Sequence, residues 1–206
     1  MRLSFSLLEK ARKNPSRFGR NLPRKPGGYN SKNFRAYLFG AIKEFHRGKN
    51  KAEVVSAFEL KCETTLQHQA QFRARLVHYT SVLAEYCDTF ALQRCDVIEL
   101  NKRATLTLGQ HCLTGRIERF DMRLPNGYRA TTTQLYDDKW EAELRWPLMQ
   151  KAIAQELNCS ASEVEVGVFC LETGTYRYRT FTDSEIASAV GETQLILAEV
   201  EAHLQP

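Results

Sequence analysis

The sequence predicts an α/β or α+β fold in which a central mixed sheet is flanked by helices. Residues 51–90 contain neither proline nor glycine and carry apolar residues at helical spacing, which indicates a helical lobe. Three strand-like runs follow, then a helix, two further strand-like runs and a closing helix. At 206 residues the chain can bury one good core. We therefore expect a single domain over residues 1–206, with a basic arm and helical lobe in 1–95 and a sheet core in 96–206.

Helical signals also precede the lobe. Ser4 or Ser6 can cap a short amphipathic helix, which the Asn14-Pro15 pair should end because the residue before a proline is pushed out of the helical region. A basic loop rich in proline and glycine follows. A second helix, with apolar residues on one face, is predicted to open at Asn30 or Ser31.

The sheet core is predicted from alternating apolar runs and turn signals. Asn126-Gly127 marks a hairpin between two of the runs, because these residues tolerate positive φ. A second hairpin is expected around Thr173-Gly174, and Asp183 can cap the closing helix. We predict an antiparallel meander for the first three runs. The predicted strands are 96–108, 112–124, 128–136, 164–171 and 176–181, and the predicted helices of this half are 140–157 and 183–203.

Positive charge is concentrated in the first quarter of the chain. Residues 1–51 contain fourteen Lys or Arg and two Glu, a balance of +12, so the other 155 residues balance to −7 in a chain of net charge +5. A cationic region on a mildly acidic body is typical of proteins that bind a polyanion. The alternative is a solvated basic arm without a partner. The candidate nucleic-acid-binding residues are Arg17, Arg20, Arg24, Lys25, Lys43, Arg47 and Lys49.

The six cysteines are scattered and form no CxxC pair of the kind found in zinc ribbons or thioredoxins. We interpret them as small core residues of a cytosolic protein. No run approaches the ~18 apolar residues of a membrane span, and the first ten residues lack the cleavage site of a secretory signal. A cytoplasmic protein without a membrane partner is therefore expected.

Three local motifs point to a known family. Residues 3–18 read LSFSLLEKARKNPSRF, in which Asn14 precedes a Pro-x-Arg-Phe element. Residues 39–48 read FGAIKEFHRG. Further on, a strand that contains Glu99 is followed by a strand that reads GRIER around Glu118. These motifs resemble the RecB-like branch of the PD-(D/E)XK nucleases, including the CRISPR-associated RecB-like exonucleases, over nearly the full length.

The resemblance implies a restriction-endonuclease-like core that acts on DNA, but the family's catalytic positions are largely replaced here. Glu118 stands at the family's aspartate, and counting thirteen residues onward places Thr131 and Thr133 at its Asp-x-Lys pair. Neither threonine offers a carboxylate or a cation. The vestigial site positions implied by the resemblance are Lys43, Glu99, Thr131, Thr133 and Arg145.

Two features leave an active nuclease open as an alternative. Residues 137–139 also spell Asp-x-Lys, so Glu118, Asp137 and Lys139 could hold Mg²⁺ and orient an attacking water. Asp121 could serve as a substitute ligand. Against this, Lys139 lies only six residues before Arg145, and a polar turn that caps the next helix is the simpler interpretation.

The CRISPR-associated relatives hold an iron-sulfur cluster with one N-terminal cysteine and three cysteines near the C-terminus. Here Asn14 stands at the first position and no cysteine follows Cys170. Since such a cluster is held by cysteine thiolates, no iron-sulfur cluster is expected in this chain.

Three functions are compatible with these observations. The first is a catalytically degenerate RecB-like nuclease fold that binds DNA or joins a DNA-processing complex, as in defence or mobile-element machinery. The second is an active Mg²⁺-dependent nuclease. The third is a protein-interaction subunit whose basic arm meets an acidic partner. The replaced catalytic positions favour the first, although fold alone does not decide because function lies in sites.

Overall fold

The structure, a computed structural model, describes residues 1–22, 33–93, 95–123, 125–134 and 139–204. The predicted helix start at Asn30 or Ser31 and the candidate residues Arg24, Lys25 and Asp137 lie outside the described residues. In chain order the elements are β1 (Arg2–Ser4), α1 (Phe5–Lys13), α2 (Pro15–Arg20), α3 (Phe34–His46), α4 (Lys51–Leu66), α5 (Phe72–Ala91), β2 (Cys95–Leu108), β3 (His111–Arg123), β4 (Tyr128–Gln134), α6 (Arg145–Leu157), β5 (Val164–Cys170), β6 (Tyr176–Arg179) and α7 (Asp183–Ala202).

Side-chain caps separate the first two helices. Ser4 caps α1 by accepting a hydrogen bond from the Leu7 N–H at 3.2 Å, as predicted. Asn14 ends α1 and caps α2, since its side chain accepts from the Arg17 N–H at 2.9 Å. Pro15 occupies the first turn of α2, where its missing N–H costs no hydrogen bond.

Two further helices also begin at side-chain caps. Asn33 caps α3, and its side chain accepts from the Ala36 N–H at 2.9 Å. Thr182, not Asp183, caps α7: its hydroxyl accepts from the Glu185 N–H at 3.2 Å, and the Glu185 carboxylate accepts from the Thr182 N–H at 2.8 Å. Such a capping box needs a glutamate three residues after the cap, which Thr182 has and Asp183 lacks.

The six strands of the described ranges form one mixed sheet of order β1-β3-β4-β5-β6, with β2 paired to β3. The pairs β2–β3, β3–β4 and β5–β6 are antiparallel, and β1–β3 and β4–β5 are parallel. The predicted mixed sheet flanked by helices and the meander of its first three long strands are confirmed. The three-residue strand β1 is not predicted, because so short a run shows no alternation of apolar and polar residues.

The sheet divides along one edge of β3. On one side, β3 pairs with β2 along its whole length. On the other side, β3 pairs with β1 at residues 112–114 and with β4 at residues 119–122. Between these stretches, residues 115–118 have no partner strand on this edge among the described strands. The divided edge leaves room for a site above β3.

Hydrophobic cores cover both faces of the sheet. Val164, Val166 and Val168 of β5 pack in a core with α1, α6 and α7, whereas Phe169 and Leu171 belong to a core with α3, α4 and α5. Side chains of a strand alternate between faces, so β5, which is covered on both sides, is apolar except for Glu165. Within the described ranges, no helix combines the length and apolarity needed to cross a membrane.

These cores do not follow the predicted boundary at residue 95. Leu3, Phe5 and Leu8 are buried in the first core, and α2 packs against α7. Because β1 joins the sheet, the described N-terminal residues belong to the sheet core. The helical lobe consists of α3, α4 and α5.

Gly167 of β5 allows the close approach of β6. A Cβ atom at this position would lie 2.2 Å from the Arg177 carbonyl oxygen and 2.4 Å from Tyr178 Cδ1. We expect Gly167→Ala to lower the free energy of unfolding by about 1–3 kcal/mol, because the backbone of β6 must shift. Urea denaturation measures this change.

A matched control is Gly191→Ala in α7, where an added Cβ would meet nothing within 4 Å. Alanine at this helical position should stabilise the protein by about 0.5–1 kcal/mol. Equal unfolding midpoints for the two variants would contradict the proposed close approach.

Candidate functional site

A cavity of about 720 Å³ lies where the sheet divides. Its floor is formed by β2, β3 and β4, and its walls by α1, α3 and α6. This volume falls in the range of small-molecule sites. The polar and aromatic residues used below come from this lining: Arg35, Phe39, Lys43, Asn101, Arg116, Glu118, Thr132, Thr133 and Arg145.

Positive charge dominates the cavity. Arg35 and Lys43 come from α3, Arg116 from β3 and Arg145 from α6, whereas Glu118 is the one carboxylate among the described lining residues. Four positive charges against one negative charge give a formal balance of +3. The sequence motifs assign no role to Arg35 or Arg116, and the fold brings them together with Lys43 and Arg145.

Neighbouring groups hold the three arginines in place. Arg35 Nη2 donates to the Thr133 carbonyl oxygen at 2.8 Å. The Arg116 guanidinium donates to the side-chain oxygen of Asn101, and Arg145 forms an ion pair with Glu143. Since a guanidinium carries five N–H donors, Arg35 and Arg116 have more donors than these contacts use.

Burial in a cationic cavity shifts two titratable groups. Burial raises the pKa of Glu118, and a hydrogen bond from the Thr133 N–H to its carboxylate, with the nearby arginines, opposes the rise. Burial lowers the pKa of Lys43, and repulsion from Arg116 and Arg47 lowers it further. Both shifts have the same first cause, the partial removal of Glu118 and Lys43 from water.

The strand register determines which threonine faces Glu118. Thr131 pairs with Arg119, and its hydroxyl lies 3.4 Å from the Tyr178 hydroxyl on the other side of the sheet. Continuing the antiparallel register places Thr132 opposite Glu118, and Thr132 lines the cavity. The residue thirteen positions after Glu118 is Thr131, whose side chain therefore lies on the other face of the sheet, because neighbouring residues of a strand point to opposite faces.

Three other residues named from the sequence lie away from the cavity. Asp121 is buried, and its Oδ2 lies 2.9 Å from Nε of Arg119 on the far face, so it is not a substitute metal ligand beside Glu118. Lys139 is exposed and lines a separate surface depression. Glu99 is exposed on the edge strand β2. The alternative grouping of Glu118 with Lys139 is thus not formed by the described residues.

Most of the described candidate nucleic-acid-binding residues also lie outside the cavity. Arg17 and Arg20 are exposed on α2, which packs against α7. Arg47 Nη1 and Lys49 Nζ lie 2.6 and 3.0 Å from the carboxylate of Glu44. Part of the positive charge expected on this arm is therefore neutralised locally.

A buried polar cluster occupies the opposite face of the sheet, next to the helical lobe. Arg119 is 2% exposed and donates to the hydroxyls of Tyr86 at 2.9 Å, Tyr176 at 3.0 Å and Tyr178 at 3.2 Å. Its Nε donates to Asp121 at 2.9 Å. Burial raises the pKa of Tyr86 to about 12, so this hydroxyl stays neutral. We call these five residues the Arg119 cluster.

The donor set of the cavity does not fit a divalent metal ion. Mg²⁺ in nucleases is bound through carboxylate oxygens, but Glu118 is the one carboxylate among the described lining residues, and four cations surround it. Across the described ranges, no group of three or more His, Cys, Asp or Glu side chains could hold a metal ion. Asn14, which the resemblance aligns with a cluster cysteine, uses its side chain to cap α2.

Comparisons with known proteins show the class of fold. No family model matches the chain, and no curated protein matches it. The crystal structure of a “Putative exonuclease” from Eubacterium rectale matches with a TM-score of 0.56 and 11% identity, covering 98% of this chain and 82% of that chain. The crystal structure of SSO0001 matches with a TM-score of 0.27 and 10% identity, covering 93% of this chain and 84% of that chain, and supports no argument. The chain thus has a nuclease-like α/β fold.

Proposed function

We propose that this chain is a catalytically degenerate member of the RecB-like branch of the PD-(D/E)XK nucleases that binds nucleic acid, DNA above all, as a subunit of a DNA-processing complex. The observation that carries the proposal is the cavity above β3, where one carboxylate is surrounded by four cations. The nuclease-like fold and the sequence motifs support the same conclusion.

Phosphodiester hydrolysis in such a fold needs carboxylates from adjacent strands to hold Mg²⁺ and a lysine to orient the attacking water. Here β3 supplies Glu118, and the neighbouring strand β4 supplies Thr132. A threonine hydroxyl is neutral and is a weak substitute for a carboxylate. The arginines instead offer N–H donors that suit phosphate oxygens, so the same cavity favours binding of an anion over metal-dependent hydrolysis.

Purified protein is expected to bind DNA in EDTA and to cleave neither single- nor double-stranded DNA with Mg²⁺ or Mn²⁺. Loss of one essential group of a catalytic unit removes several orders of magnitude in rate. Labelled oligonucleotides, resolved on denaturing gels, test cleavage, and fluorescence anisotropy with the same oligonucleotides tests binding.

The variants Glu118→Ala and Lys139→Ala distinguish the alternatives, with Glu63→Ala in α4 as an exposed carboxylate control outside the cavity. Cleavage that is lost in the first two variants and kept in the control would contradict the proposal. It would support an active site built from Glu118, Asp137 and Lys139. Cleavage that is equal in all three variants would instead come from a contaminating nuclease.

A protein-interaction subunit is the second candidate function. The observation that favours it is the local neutralisation of Arg47 and Lys49 by Glu44, which weakens the field of the basic arm. Absence of binding to every oligonucleotide at low salt would support this candidate over the first.

A further inference from the structure

We propose that the cavity above β3 binds the terminal phosphomonoester of a single-stranded nucleic-acid end. The inference rests on the proposed function, because it assumes a nucleic-acid ligand, and it adds which part of that ligand the cavity takes. Its basis is the combination of the charge of the cavity, its dimensions and the Phe39 ring in its lining.

The charge of the cavity matches a terminal phosphate better than an internal one. An internal phosphodiester carries one negative charge, whereas a phosphomonoester carries about 1.5 to 2 near pH 7. Arg35, Arg116 and Arg145 approach from three different elements, and guanidinium groups bind phosphate oxygens in bidentate fashion. The formal balance of +3 stays positive after one such group has bound.

Glu118 does not cancel this preference. Burial raises the pKa of this carboxylate, whereas the hydrogen bond from the Thr133 N–H and the nearby Arg35, Arg116 and Arg145 lower it. Even when it is ionised, the formal balance of the cavity stays at +3. Burial, together with repulsion from Arg116 and Arg47, lowers the pKa of Lys43, and a bound anion would favour its charged form. Because glutamine is neutral, Glu118→Gln removes a negative charge from the cavity and should strengthen binding of a phosphorylated end.

The dimensions of the cavity favour a strand end. Three helices surround its floor, and about 720 Å³ is the volume of a site for a small molecule or a nucleotide. A double helix is far too large for such a space. An unpaired end can place its last phosphate and base inside while the rest of the strand stays outside.

Phe39 supplies a surface for an unpaired base. Its ring lines the cavity and is half-buried, and the guanidinium carbon of Arg35 lies 5.5 Å from the ring centroid. Aromatic rings and guanidinium planes stack on single-stranded bases with little sequence preference. The stacking surface and the phosphate donors therefore lie in the same cavity.

The test measures fluorescence anisotropy of the full chain in EDTA with 12-nucleotide single strands. The strands carry a 5′-phosphate, a 3′-phosphate or hydroxyl groups at both ends, as DNA and as RNA, with an internal label. Of the 5′- and 3′-phosphorylated strands, one should bind at least about tenfold more tightly than the strand with two hydroxyl ends, because its phosphate adds charge-assisted hydrogen bonds. A blunt duplex with the same phosphate should show no such gain.

Arg116→Gln and Lys43→Gln should each remove most of this preference, so that each variant binds the phosphorylated and the hydroxyl strand with affinities within about threefold of each other. The matched control is Arg103→Gln, because Arg103 is also exposed, pairs with Arg116 across β2 and β3, and does not line the cavity. Thermal melts followed by circular dichroism establish that each variant is folded.

The outcomes separate the two proposals. Equal binding of phosphorylated and hydroxyl strands, a preference that survives Arg116→Gln and Lys43→Gln, or equal gains on blunt duplexes would overturn the end-binding inference and leave nucleic-acid binding intact. No binding of any strand at low salt would overturn both.

Discussion

Replacing Arg119 by methionine is expected to lower the free energy of unfolding by about 3–5 kcal/mol, because the change leaves an uncompensated charge in the protein interior. Asp121 is fully buried, and its Oδ2 accepts from Arg119 Nε. Three tyrosine hydroxyls lose the same donor group. Urea denaturation followed by circular dichroism measures the loss.

Two further variants test the origin of this effect. Arg119→Met combined with Asp121→Leu should cost less than the sum of the single changes, because the orphaned carboxylate is removed with its partner. Arg103→Met, an exposed arginine on the neighbouring strand, should change stability by no more than about 0.5 kcal/mol. Equal losses for Arg119→Met and Arg103→Met would show that the Arg119 cluster stabilises the protein no more than an exposed arginine does.

The affinity for duplex DNA is expected to fall roughly 250- to 1,000-fold between 50 and 200 mM salt. If about five cations neutralise phosphates, the logarithm of the association constant falls against the logarithm of salt concentration with a slope of about −4 to −5. The excess of Lys and Arg in residues 12–51 motivates this prediction. Anisotropy titrations at four salt concentrations give the slope.

Changing Arg20, Arg24 and Lys25 together to alanine should make this slope shallower by up to about three units. The affinity for every DNA sequence should fall by about the same factor. The control is the double variant Arg47→Ala and Lys49→Ala. It should change the slope much less, because both side chains already form ion pairs with Glu44. Tight binding that ignores salt, or an unchanged slope in the triple variant, would favour the protein-interaction alternative.

Several structural features are determined by local sequence signals. The helical lobe, the antiparallel meander and the two hairpins follow from apolar periodicity and from Asn-Gly or Thr-Gly turns, and the structure confirms them. The Ser4 cap and the break at Asn14-Pro15 depend on residues within one turn of the helix end. The excess of positive charge before residue 52 is a property of composition alone.

The face of each site residue is decided by strand register. Thr131 and Thr132 are neighbours in sequence, yet Thr131 lies with Arg119 and Thr132 with Glu118, because strand side chains alternate. A count along the chain does not give the register, since register depends on turn length and on pairing across strands. The same alternation separates Asp121 from Glu118.

Apart from β1 and α2, the sequence by itself determined the elements, their order and the cationic character of the N-terminal region, because each of these depends on residues close together in the chain. Only the tertiary structure decided that β1 joins β3, that the sheet divides at residues 115–118, and that Arg35, Arg116 and Arg145 meet around Glu118. These three arginines lie between 29 and 110 residues apart in the sequence. Contacts over such separations form only when the whole core packs, so local residue patterns do not predict them.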